Sequence, residues 1–116
     1  MIENEAVPVF DRSVLLECLG GDEEGAAEIC QIFLEDFPND LQALQTGLQA
    51  GDASHVEYTA HGIKGAAANV GGEALRAVAL KIEKAAKVGD LAAAEHHLAE
   101  LETQFARLQE AIENSL

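Results

Sequence analysis

The chain has 116 residues, enough for one hydrophobic core and too few for two. Apolar residues make up 48% of it but aromatics only 4%, so the core must be built from Ala, Leu, Ile and Val, a composition that favours helices over strands. With 21 acidic against 7 basic side chains the formal charge is −14, which repels phosphate backbones and anionic lipid surfaces and so argues against nucleic-acid binding and direct membrane contact.

Residues 1–10 show no periodicity, contain Pro8, and lack the cationic and apolar blocks of a secretory leader. They read as an extended, partly mobile lead into a single domain over 11–116. No apolar run approaches the roughly 20 residues that span a bilayer, so the expected location is the cytoplasm. Asp11 is a good N-cap for a short helix, Arg12 to Leu19, that Gly20-Gly21 stops. Its Val14, Leu15, Cys18 and Leu19 fall on one side and suit a lid.

Asp22 caps the next helix, with Glu23 and Glu24 at its positive end. The apolar stripe Ala26, Ile29, Cys30, Phe33 and Phe37 meets Pro38, which ordinarily breaks a helix. Leu41, Leu44 and Leu48 nevertheless continue the stripe in phase, and a separate helix would have no reason to keep that phase. The spacing therefore predicts one long helix over 22–50, kinked near Pro38. Cys18 and Cys30 form no CxxC and lie in helical stretches, so they read as buried free thiols rather than a disulfide.

Gly51-Asp52 ends one helix and caps the next, predicted over 53–69. Gly71-Gly72 closes it, and a helix over 73–88 follows with Leu75, Val78, Ala79, Ile82 and Ala86 facing inward. Gly89-Asp90 repeats the punctuation before a last helix over 91–113, whose Leu91, Ala94, Leu98, Leu101, Phe105, Leu108 and Ile112 alternate steps of three and four. Such a seam suits antiparallel packing, and the expected fold is an all-α, up-down-up-down four-helix bundle with a short extra N-terminal helix. The two Gly-Asp starts recur 38 residues apart, but two units are too few for a helical solenoid.

The stretch from Ala60 to Gly71 stands out because Gly62 and Gly65 interrupt an amphipathic helix. Each costs roughly 1 kcal/mol against alanine at such a position. On a helical wheel Val56, Thr59, Ala60, Ile63, Ala66, Ala67 and Val70 face a core. His61 points outward among Glu57, Tyr58, Lys64, Gly65 and Ala68. An exposed helical histidine is most often simply solvated, and a helical glycine often serves close helix packing. Here, however, an imidazole and a lysine one turn on stand over ground cleared by Gly65 and Ala68.

His61-Gly62-Ile63-Lys64-Gly65-Ala66-Ala67 with Val70-Gly71 resembles the phosphoacceptor motif of histidine-containing phosphotransfer (HPt) domains. Val9-Phe10-Asp11, Leu19-Gly20-Gly21-Asp22 and Phe33-Leu34-Glu35-Asp36-Phe37-Pro38 fit the family layout as well, so the resemblance covers about residues 9 to 110. It implies a carrier that shuttles a phosphoryl group between receiver-domain aspartates in a multistep His-Asp relay. The implied partners are response-regulator receiver domains and a hybrid sensor histidine kinase. His61 would be the phosphorylated residue, Lys64 the stabilising cation, and Gly65 and Ala68 the docking clearance. In some members an amide on the following helix holds the imidazole. The comparable position here is Glu83, a carboxylate that can still accept a ring N–H. Mg²⁺ and the catalytic acidic residues belong to the receiver, so no cofactor is expected in this chain, and a monomer suits a shuttle.

The residues themselves are compatible with this chemistry. An imidazole with an ordinary pKa near 6.5 is mostly neutral at cytosolic pH, leaving a ring nitrogen free to attack. Lys64 disfavours its protonation and Glu57 favours it. Phosphoryl transfer relies mainly on positioning and charge stabilisation, so a minimal acceptor site suffices if the partner brings the rest. No Walker-type loop is present, so the chain reads as a carrier rather than an enzyme. His96 and His97 point about 100° apart, His55 and His61 lie on different faces, and no HExxH occurs, so no metal site is expected. Lys81, Lys84 and Lys87 read first as helix-surface charge and second as a steering patch for an acidic partner. The competing functional readings are a helical adaptor without covalent chemistry and a decoy that docks receivers without turnover.

Overall fold

The computed structural model describes residues 7–115, and no strand occurs among them. Six helical segments follow one another: α1 (Arg12–Cys18), α2 (Glu23–Ala50), α3 (Ala53–Asn69), α4 (Glu73–Lys87), α5 (Leu91–His96) and α6 (Leu98–Ser115). Local chemistry sets four of their six N-termini. The carboxylates of Asp11, Asp22, Asp52 and Asp90 each accept the backbone N–H three residues on, at 3.3, 3.1, 3.1 and 3.1 Å. Each such cap contributes about 1 kcal/mol by satisfying an otherwise unpaired donor of the first turn.

α2 runs unbroken through Pro38 for 28 residues. At 1.5 Å per residue that is about 42 Å, the longest dimension of the molecule. Pro38 lies on the exposed side, where water can take up the carbonyl that its missing N–H leaves unpaired. Phe33, Phe37, Leu44, Val56, Ile63, Leu75, Ile82, Leu101 and Leu108 share one buried core. Phe37 of α2 stacks on Phe105 of α6 with ring centroids 3.9 Å apart and planes within 7°. α3 packs against both α2 and α4, and α4 packs against α5 and α6.

Three expectations need correction. The last helix is interrupted at His97, whose N–H turns back three residues to the Ala94 carbonyl. This is one tight 3₁₀-type turn, which the unbroken three-four seam gives no means of seeing. Cys18 is free but exposed, unlike the buried Cys30. α1 has only two turns and buries Leu15 alone, so its last residue lies beyond the covered face. The lead is tied down where it is described. Residues 1–6 lie outside the described part, whereas the segment before α1 is tied down: the Asp11 N–H donates to the Gly71 carbonyl at 2.7 Å and the Ala74 N–H to the Pro8 carbonyl at 2.9 Å.

The α3–α4 turn is fixed by that same strap. α3 ends in a Schellman motif, with the Gly72 N–H reaching the Ala67 carbonyl and the Gly71 N–H the Ala68 carbonyl. Gly71 has φ +78°, and a β-carbon there would collide with the Asp11 carbonyl oxygen. Only glycine meets both demands. The turn returns α4 directly along α3, which is what brings the candidate site together.

Candidate functional site

Val56, Ala60, Ile63 and Ala67 are buried along α3, and Leu75, Val78, Ala79, Ile82 and Ala86 along α4. Small alanines on both helices permit a close approach of the two backbones. At this spacing, residues bordering the buried seams can touch across the helix pair. Glu83, next to buried Ile82, is such a residue and is only 16% exposed.

His61 sits mid-way along α3 with its side chain 66% exposed. Its Nδ1 lies 2.8 Å from Glu83 Oε2. Lys64, one turn on, places Nζ 2.8 Å from the other oxygen, Glu83 Oε1. The ammonium approaches off the hydrogen-bond direction, so this second contact is an ion pair rather than an aligned bond. One half-buried carboxylate therefore bridges both outward-facing groups. Burial alone would raise its pKa, but Lys64 and His61 together more than offset that and hold it below the ordinary value of 4.5. Glu83 is thus ionised at neutral pH and can only accept, so His61 Nδ1 donates. Nε2 then carries the ring's lone pair, and among the described residues it has no hydrogen-bond partner.

Around the imidazole the surface is bare. β-Carbons built on Gly62 and Gly65 would meet no atom of the described residues within 4 Å. Among the described residues these glycines do not serve helix packing, and the space above them is open. Ala68 continues the face, half-buried. Tyr58, a turn before His61, is 79% exposed.

Residues 28–111 match the family model of the Hpt domain. The chain belongs to the Hpt domain family. It is 30% identical over 95 residues to the phosphorelay intermediate protein rdeA of Dictyostelium discoideum, a match covering 82% of this chain and 37% of that protein. The chain thus spans little more than a third of the length of this curated relative. The crystal structure of histidine-containing phosphotransfer protein B (HptB) from Pseudomonas aeruginosa PAO1 superposes with a TM-score of 0.86 at 29% identity, over 93% of this chain and 94% of that one. The HPT domain of the Hpt sensor hybrid histidine kinase from Shewanella does so with a TM-score of 0.78 at 21% identity, over 93% of each chain, and shares the fold.

Within this Hpt domain, two shallow hollows flank His61. Ser54, Glu57, Tyr58 and Glu83 line one, and Asp40, Ala43, His55, Thr59 and Gly62 line the other. A third hollow lies between α2 and α3, where Ile29, Ile32, Phe33, Ala66 and Val70 are joined by the polar Asp36, Asp40 and Asn69. Ile32 is 54% exposed. The reading of the sequence missed this contribution of α2; the available signal was Ile32 itself, an isoleucine standing off the helix's apolar stripe. Burial, helped by the Asp36 charge, raises the Asp40 carboxyl at the edge of this hollow. Lys81 stands 4.0 Å from Glu100 on α6. The rings of His96 and His97 meet edge to face. No group of three or more His, Cys, Asp or Glu side chains is arranged to hold a metal ion among the described residues. No helix among them is long and apolar enough to cross a membrane.

Proposed function

We propose that this chain is a phosphoryl carrier of a multistep two-component relay, taking the group from a receiver-domain aspartate onto His61 and passing it to another. The observation that carries the reading is the solvent-facing imidazole whose Nδ1–H is fixed by Glu83 at 2.8 Å. That bond selects the tautomer with a free Nε2 lone pair, the nucleophile for the phosphorus atom. Gly62, Gly65 and Ala68 leave room for the receiver's acidic site to approach that nitrogen. Lys64 swings from the Glu83 carboxylate toward the incoming phosphoryl oxygens as a point charge. Glu83 is the positioning residue that keeps the ring in place.

Mg²⁺ and the acidic residues that hold it belong to the receiver, and the carrier supplies no kinase activity of its own. The hollow beside Ile32 and Ala66 is part of the receiver-docking surface. A hybrid sensor kinase upstream and a response regulator downstream complete the relay, which we place in the cytoplasm with the carrier as a monomer. α2, α3, α4 and the α5–α6 arm form the up-down-up-down bundle, with α1 across one end, and this rigid frame holds the ring in a fixed attitude.

The test is one incubation with a phosphorylated receiver domain and Mg²⁺. Wild-type protein gains acid-labile, base-stable label and His61→Gln gains none. Label persisting in His61→Gln would reject His61 as acceptor. An unlabelled wild type that still binds the receiver would make the chain an adaptor or decoy.

A further inference from the structure

We propose that Glu83, an acceptor-only carboxylate, keeps Nδ1 of His61 protonated through the whole transfer cycle, so that the phosphorylated side chain stands as a phosphoimidazolium ready to release its phosphoryl group. The inference rests on His61 being the phosphoryl acceptor.

His61 Nδ1 lies 2.8 Å from Glu83 Oε2. An ionised carboxylate has no proton to give, so the proton in this contact belongs to the ring. Before transfer a neutral imidazole meets the requirement in one tautomer. When Nε2 attacks the aspartyl phosphate, an N–P bond forms and the P–O bond to the receiver aspartate breaks, its electron pair leaving on that carboxylate. The Nδ1 proton is not consumed, and the ring passes from neutral to cationic beside Glu83. If that proton were lost to solvent, two lone pairs would face each other at hydrogen-bond distance and the contact would turn repulsive. In the onward step the N–P bond breaks with its pair returning to Nε2. The departing group is then a neutral imidazole instead of an imidazolate anion, and leaves far more readily. An amide at position 83 would impose no such choice, because its NH₂ can turn to donate to a bare Nδ1.

The charges facing the ring point the same way on balance. Glu57 and Tyr58 of α3 share one hollow with His61 and Glu83, while Asp40 of α2 and His55 line the other. Both flanking carboxyl groups, when ionised, favour an imidazolium. Lys64 opposes it, but its ammonium is already paired at 2.8 Å with Glu83 Oε1. A bound phosphoryl group, carrying close to two negative charges, draws that ammonium away and itself favours the cationic ring.

The test needs no receiver. Phosphorylate the purified protein with phosphoramidate and follow ring-nitrogen and phosphorus NMR from neutral into alkaline pH, for wild type and Glu83→Gln. In phosphorylated wild type Nδ1 stays protonated well above the ordinary imidazole value of about 6.5, and the lability of the label persists over the same range. In Glu83→Gln both midpoints fall back toward it, and above them the label's half-life lengthens about tenfold for each unit of displacement. The wild-type titration decides by itself if the variant folds poorly. A labelled His61 whose Nδ1 titrates at the ordinary value would overturn the role of the carboxylate alone. Failure of His61 to take label from phosphoramidate or from a receiver would overturn the acceptor reading, and this inference with it.

Discussion

Two pairs of glycines on one helix are put to opposite uses. Gly62 and Gly65 lie on the outer face of α3, where an added β-carbon would meet no atom of the described residues within 4 Å. Gly71 and Gly72 close the same helix, and there an added β-carbon would strike the Asp11 carbonyl or come within 2.7 Å of Leu108 Cδ2. The second pair is required by the protein's own packing. The first pair costs helix stability and makes no such contact among the described residues, so under the proposed function its value lies in what approaches from outside. The sequence places one pair inside the helix and the other at its end; what each glycine faces is decided only by the packed structure.

Substitutions at the two glycine pairs, and at the imidazole beside the open pair, should have opposite consequences. The largest effect is expected at the group the open glycines expose. His61→Gln abolishes phosphoryl acceptance from a receiver while its thermal stability stays within about 0.5 kcal/mol of wild type, as for other exposed sites. A strongly destabilised His61→Gln would mean that the face is structural after all. Next comes Gly71→Ala, which combines a left-handed φ of +78° with a backbone collision. It should lose about 2–4 kcal/mol in denaturant unfolding, the sum of a strained conformation and a displaced strap. A Gly71→Ala protein as stable as wild type would end the contrast.

Gly65 should behave in the reverse sense. Gly65→Leu keeps the fold and still takes label from phosphoramidate, but its transfer from a receiver slows by about tenfold, equivalent to about 1.4 kcal/mol. Gly62→Ala and Gly65→Ala should each raise stability by about 0.5–1 kcal/mol in chemical denaturation, the helix-interior difference between the two residues. The smallest effect concerns acid. The Glu83 carboxyl is held below its ordinary 4.5 in the folded protein. Its contribution to stability is therefore fully present above that value and is lost as pH falls through the lowered folded one. Melting temperatures of Glu83→Gln should decline less steeply than wild type below pH 4.5. Parallel acid limbs would show that the carboxylate's pairing with His61 and Lys64 carries no weight in the fold.

What the chain reveals unfolded is what lies within one or two turns of each residue. The four aspartate caps were legible because an N-cap bond spans three residues. The continuity of α2 through Pro38 was legible because Leu41, Leu44 and Leu48 keep phase with Phe33 and Phe37. His61 and Lys64 declared themselves on one outward face for the same reason. The turn at His97 was not legible, since neither glycine nor proline marks it, and Cys18 emerged because α1 is too short to bury a whole stripe. Family resemblance nominated Glu83, yet no local rule places a carboxylate 22 residues from an imidazole at 2.8 Å. That distance depends on facing alanines setting the α3–α4 separation and on a glycine turn strapped to Pro8 and Asp11. Helical periodicity acts over a few residues and is written in the chain; the meeting of His61, Lys64 and Glu83 exists only once two helices have packed.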